Sequence, residues 1–285
     1  LIRLVNLINI FIIVNLFADS LINQLDHGNR RKEIEALDPL TLVVLCTASL
    51  LTAGVSAVLG MAGGIMLLAV MLLFVEPAIA IPVHAVVQLV SNSSRVVIHA
   101  REIRTDLLWP YVLLLLPAGA LTVPLAQHAP ADALRLAIGV FVIVATWRKR
   151  WLLLGLDPDR IPVQPRFALV GAGAGALGPI IGATGPFIAP FFLGIGLSRF
   201  ELIGTKAACQ ATGHVAKVLL FAIAGFGFLE YGSLMVAMAA CVIAGTWLGT
   251  RVLHRVDDDR FTQLFKFTLT AVAVRLIWSG LSAFA

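Results

Sequence analysis

The chain has 285 residues, 59% hydrophobic and 13% charged, with a mean hydropathy of +0.95, and apolar runs of about membrane-spanning length recur along it. That composition argues against a soluble domain, and an aromatic share of 8% without sustained period-two alternation argues against an outer-membrane barrel. The net charge of +5 and pI near 9.5 are read as topology signals in loops rather than as nucleic-acid contacts.

Residues 1–25 are apolar but carry Asn6, Asn9, Asn15 and Asn23. They are too asparagine-rich for a signal peptide and are expected to form a retained membrane or interfacial helix. A polar linker, 26–39, follows. Apolar segments are then expected at about 40–59, 64–75, 78–100, 107–127 and 131–147, forming a first transmembrane repeat over 40–147. After the basic linker 148–166 comes a second series at about 166–181, 186–197, 201–225, 230–250 and 261–284, forming a second repeat over 167–285. The three cysteines, Cys46, Cys209 and Cys241, sit in apolar segments without metal-ligand spacing and are read as packing residues. No metal or cofactor site is expected.

Sliding the chain over itself supports the duplication. At an offset of 122, Gly60 meets Gly182, Gly63 meets Gly185, Gln88 meets Gln210 and Arg95 meets Lys217, while His84 falls on Lys206 and Asn92 on His214. At an offset of 126, "AGA" at 118–120 meets "AGT" at 244–246.

Loop charges set the orientation of the copies. With linker 148–166 in the cytoplasm, the loops near 101–106, 199 and 251–260 join it there, carrying Arg101, Arg104, Arg199, Arg251, Arg255 and Arg260. The opposite loops, near 76, 128–132 and 226–230, carry only Glu76, Asp132 and Glu230. This pattern fits two inverted copies; Arg30, Arg31 and Lys32 are the misfit. The fold class expected is an all-α polytopic membrane protein of two inverted-topology repeats. Each has a broken, hairpin-like first membrane segment followed by three transmembrane helices, and an N-terminal helix is added.

The breaks draw attention because unwound backbone survives inside a bilayer only where protein or a water-filled cavity satisfies its polar groups. In "GATGPF", 182–187, Pro186 is expected at the first helical position with Thr184 or Gly185 as cap. "GMAGGI", 60–65, including Gly63 and Gly64, does the same from the other side. Half-helix N-termini present unpaired N–H groups suited to an anion. Gly171, Gly173 and Gly175 are read instead as close-packing residues.

The third segment of each series supplies charge. His84, Gln88, Asn92, Arg95 and His99 recur on one helical face, as do Lys206, Gln210, His214 and Lys217. A cation at the bilayer centre costs about 2.5–3.5 kcal/mol on the insertion scale. These residues therefore face a cavity or partners, and no acid shares their helices except Glu201. An unpaired basic face wants an anion. Gln88 and Gln210 are expected to donate to oxyanion oxygens, and Arg95, Lys206 and Lys217 to supply charge. His84 and His214 are the candidates to titrate near neutral pH and so for proton coupling. Snorkelling toward water is the competing reading for Arg95, His99 and Lys206.

The stretch "GATGPFIAPFFLGIGLSRFELIGTKAACQATGHVAK" resembles the sulfite exporter TauE/SafE family of membrane permeases, and the resemblance extends over about residues 40–280. His99 with Arg101 matches a basic pair of that family, whereas "GMAGGIMLLAV" and "IPVHAV" depart from its first-half pattern. The resemblance implies movement of small anions, sulfite or organosulfonates, across the bacterial inner membrane. An anion channel is the runner-up. An intramembrane enzyme ranks below it, since no HExxH or GxSxG motif is present and "DDDR" at 257–260 reads as a solvated loop.

Overall fold

The computed structural model describes residues 39–59, 63–252 and 258–282. The N-terminal segment 1–25, the linker up to residue 38, Gly60 and Asp257 of "DDDR" lie outside the described residues. Among the described residues every regular element is helical. The first series comprises α1 (Pro39–Leu59), α2 (Gly63–Met71), α3 (Pro77–Ile98), α4 (Thr105–His128) and α5 (Ala131–Trp147). The second comprises α6 (Val163–Ile181), α7 (Gly185–Ile188), α8 (Arg199–Ile223), α9 (Gly232–Val252) and α10 (Asp258–Ser282).

Among the described residues, three stretches are long and apolar enough to cross a membrane by length and composition: Pro39–Ala57, Thr105–His128 and Phe228–Gly249. By contrast, α2 has nine residues, about 14 Å at the usual rise, under half the roughly 30 Å of a hydrocarbon core. The segment expected at 186–197 is shorter still. One turn of α-helix, α7, runs into a 3-10 turn, Ala189–Phe192, and the chain then leaves helical geometry. Three prolines in twelve residues, Pro179, Pro186 and Pro190, remove N–H donors and prevent a continuous helix.

The helices pair crosswise between the two series. α1 lies on α9, α4 on α6, α3 on α8 and α5 on α10. The first helix of each series thus packs on the fourth of the other. Lipid tails are as apolar as leucine, so helix association here rests on close approach of backbones. Glycines four apart provide it twice. A methyl group on Gly171 or Gly175 would run into the Tyr111 or Leu115 carbonyl of α4, and one on Gly245 or Gly249 into the Leu50 or Gly54 carbonyl of α1. On α4 the buried positions Leu107, Tyr111, Leu115, Gly119, Val123 and Ala126 form one stripe at helical spacing. The packing role expected for Gly171 and Gly175 is what the structure has. Gly173 differs, because its missing methyl leaves room for the Phe187 ring of α7, 2.6 Å from where Cβ would stand.

A capping box starts α8: the Ser198 hydroxyl accepts from the Glu201 amide at 3.2 Å, and the Glu201 carboxylate accepts from the Ser198 amide at 2.9 Å. The acid nearest the basic face of α8 is thereby committed to the cap.

Gly171→Ala and Gly245→Ala are each expected to destabilise by about 1–3 kcal/mol, because the obstructing atoms are backbone and cannot rotate away. Gly213→Ala, whose methyl would stand 3.4 Å from the Tyr111 hydroxyl, should be neutral or gain up to about 1 kcal/mol from reduced backbone entropy. Thermal unfolding in detergent checks the ranking, and equal melting temperatures for the three would refute the glycine-seam account.

Candidate functional site

The two breaks come together. α2 meets α7, and Leu68 of α2 packs where Gly182 lacks a side chain. Gly182 ends α6 at φ +69°, a conformation that L residues with a Cβ seldom adopt. Its amide donates to the Gly178 carbonyl at 2.9 Å, and the Lys217 ammonium donates to its carbonyl. On the other side, His84 Nε2 lies 2.7 Å from the Gly64 carbonyl. A basic side chain from each long polar helix, α3 or α8, therefore bonds backbone at the break of its own series. At Gly182, the C-cap of α6, this is the interior satisfaction that a broken helix requires.

A small cavity lies between the breaks. α1 contributes Ser56; α2 contributes Gly64 and Ile65; α3 contributes His84, Gln88 and Arg95; the second break contributes Ala183, Thr184, Gly185 and Pro186; and α8 contributes Gln210 and His214. Of these five segments, four carry residues that the sequence singles out as site candidates, and α1 does not. Gln88 and Gln210 lie over glycines at the starts of the short helices: a Cβ on Gly64 would stand 3.0 Å from Gln88 Oε1, and one on Gly185 2.5 Å from Gln210 Nε2. Only glycine lets the two amides sit this close to the turns.

Arg95 is 6% exposed. Its Nη2 donates to Asn92 Oδ1 at 2.9 Å and its Nε to the Ser91 carbonyl at 3.5 Å. A guanidinium has five N–H donors, so with two committed, three remain uncommitted among the described residues. Arg104–Asp106, Arg135–Asp132 and Arg160–Asp157 form ion pairs outside the cavity, and among the described residues no carboxylate lines the cavity. The cavity is a cationic, hydrogen-bond-donating pocket without an internal counter-charge.

Four expected site residues stand elsewhere. Asn92 is buried behind Arg95, its Nδ2 donating to the Gln88 carbonyl at 2.8 Å, so it braces two lining residues. Lys217 reaches the Gly182 carbonyl. Gly63 packs on α1, where a methyl would meet the Thr52 carbonyl and Ser56. Lys206 is buried on the same face of α8 and is not among the lining residues.

The capping expectation at the second break holds in part. Thr184 is the N-cap residue, but its hydroxyl makes no cap bond, and Pro186 follows Gly185 rather than opening the turn. With α7 only four residues long, the macrodipole expected there is that of a single turn; charge in the cavity comes from Arg95.

Sequence reasoning missed Ser56, Ile65 and Ala183. Ser56 had a readable signal, since Ser49, Thr52 and Ser56 form a buried polar stripe at helical spacing on α1. Ser49 and Thr52 bond back to the carbonyls of Leu45 and Ala48 at 2.8 and 2.7 Å.

Comparison with protein-family models matches residues 45–276 to the family described as sulfite exporter TauE/SafE. No curated protein and no solved structure matches the chain.

Replacing Lys217 with Met keeps the stem and removes the donor to Gly182. The loss of a buried partner should cost about 1–3 kcal/mol of stability, read as a lower melting temperature in detergent. An unchanged melting temperature would show that Lys217 does not hold the break.

Proposed function

The chain belongs to the sulfite exporter TauE/SafE family, a family of membrane permeases, and from that premise we propose that it is a secondary transporter carrying a small anion, sulfite or an organosulfonate, across the bacterial inner membrane. The observation that carries this reading is the cavity between the breaks, lined from both series, with the uncommitted donors of Arg95 and no carboxylate. The anion sits between the Gln88 and Gln210 amides, which donate to its oxygens, while Arg95 balances its charge. Gly64 and Gly185 keep the turns narrow enough for both amides to reach it.

Two inverted repeats, 40–147 and 167–285, form the framework of the proposal, with the linker 148–166 in the cytoplasm. The crosswise pairing of first with fourth helices supports it, as does the matching of each glutamine with a glycine of its own series. Alternating access follows by rocking one group of helices against the other around the fixed site. A channel would require a continuous polar path instead, and its signature is a large unitary conductance.

Flux into proteoliposomes over a panel of sulfite, sulfate, sulfoacetate, taurine and carboxylates tests the substrate class. Saturable uptake of sulfite or a sulfonate is expected, and Arg95→Gln should lower it about ten- to hundred-fold, the equivalent of a charged hydrogen bond of about 1.5–3 kcal/mol. Wild-type flux in Arg95→Gln would remove Arg95 from the path, and channel-sized currents would replace the carrier with a pore.

The orientation has its own test. Glu230 lies in the 3-10 turn Phe228–Tyr231 before α9, in a loop without lysine or arginine. Glu230→Cys, placed in a variant lacking Cys46, Cys209 and Cys241, should react with a membrane-impermeant maleimide added from outside. Reaction only from the cytoplasmic side would reverse the topology and remove the inverted arrangement.

A further inference from the structure

His84 is 0% exposed and lines the cavity. Its Nε2 lies 2.7 Å from the Gly64 carbonyl. A carbonyl only accepts, so Nε2 is the ring nitrogen that carries hydrogen, and this fixes the tautomer. The neutral ring then offers Nδ1 as a lone pair, an acceptor with nothing to donate. That atom is buried and has no hydrogen-bond partner among the described residues. Leaving a buried acceptor unmatched carries a cost comparable to a lost hydrogen bond.

The groups around it do not supply a donor to Nδ1 or an acceptor for a second proton. The charged and titratable groups facing His84 are Lys217 and His214 from α8, with Arg95 further along its own helix. Lys217 donates to the Gly182 carbonyl. The His214 ring stands edge-on with its centroid 5.9 Å away, and its own Nδ1 is likewise buried and unpartnered. Among the described residues no carboxylate lines the cavity to hold an imidazolium. A cavity that otherwise donates, through Arg95, Gln88 and Gln210, thus contains one enforced acceptor.

We infer that the cavity selects an oxyanion that still carries one proton, its O–H donating to His84 Nδ1 while its remaining oxygens accept from Arg95, Gln88 and Gln210. This rests on the anion reading above and sharpens it. A fully ionised dianion would set its oxygen lone pairs against that of Nδ1, whereas a hydrogen oxyanion such as hydrogen sulfite matches both the donors and the acceptor. The proton then travels on the substrate, and no protein group has to change charge for anion and proton to move together. Discrimination comes from the mismatch presented to the wrong protonation state as much as from the match to the right one.

Calorimetric titration of the full chain in nanodiscs, with sulfite and with methanesulfonate, tests this. Methanesulfonate has no hydroxyl to donate, its sulfur bearing a methyl group and three acceptor oxygens, and it stays a monoanion throughout the neutral range. Sulfite affinity should fall about tenfold for each pH unit above the second ionisation of sulfite, as required for uptake of a one-proton species, while methanesulfonate affinity stays flat. His84→Gln, whose amide can turn to donate, should lower the ratio of sulfite to methanesulfonate affinity about tenfold at the lower pH. Parallel pH profiles for the two anions would overturn the inference while leaving the anion site in place, because a titrating protein group would then govern both. Failure of both anions to bind at any pH would overturn the anion site itself and this inference with it.

Discussion

Everything about the cavity follows from one constraint: a helix broken inside an apolar interior exposes backbone carbonyls that lipid cannot satisfy. In this chain Lys217 donates to the Gly182 carbonyl at the end of α6, and His84 adds a bond to the Gly64 carbonyl in the first turn of α2. Residues that look from a distance like a row of equivalent charges therefore divide into two sets. One holds the turns open. The other, Arg95 with the two glutamine amides, is left facing the space that the turns enclose.

That division explains why the site was only partly legible. Periodicity placed His84, Gln88, Arg95, Gln210 and His214 on helix faces that border the cavity, since a 3.6-residue repeat is a property of the local sequence. It could not say which polar atom meets a carbonyl on another segment. Lys217 matches Arg95 in the internal alignment, yet one bonds backbone and the other lines the cavity. Asn92 sits at the right spacing but is tied to the Gln88 carbonyl and to Arg95 instead of lining the space. The segments were legible to within a few residues because apolar length and punctuation by glycine and proline are local signals. The exception, the segment expected at 186–197, ends early for a reason also local in origin: Pro190 and the glycines at 194 and 196, both at positive φ, stop the helix soon after it starts.

The electrostatic character of the interior has the same origin. Glu201, the acid nearest the basic face of α8, is engaged in the capping box with Ser198, and the ion pairs of Arg104, Arg135 and Arg160 lie away from the cavity. A guanidinium enclosed in low dielectric without a carboxylate is costly unless another negative charge visits it. Hydrogen bonds to Asn92 Oδ1 and the Ser91 carbonyl orient Arg95 but leave its charge uncompensated. A pocket of this kind is better matched when occupied by an anion than when empty, which is the thermodynamic footing that a carrier needs in order to discriminate loaded from unloaded states.

The glycine seams carry a different consequence, for the order in which the molecule can be made. α1 finds its partner surface on α9, and α4 finds its own on α6, so neither series completes its packing from within. While the ribosome is still synthesising the second series, Gly54 and the carbonyls around Leu50 have no neighbour to accept their close approach. The first helix must wait across nearly the whole chain for the one that fits it. Long-range closure of this sort slows assembly and leaves a narrow, small-residue groove open to any passing helix with a similar face. The chain is thus built to resist separation into two independently folding pieces, whatever the ancestry of its two series, and its early helices depend on its late ones for their final position.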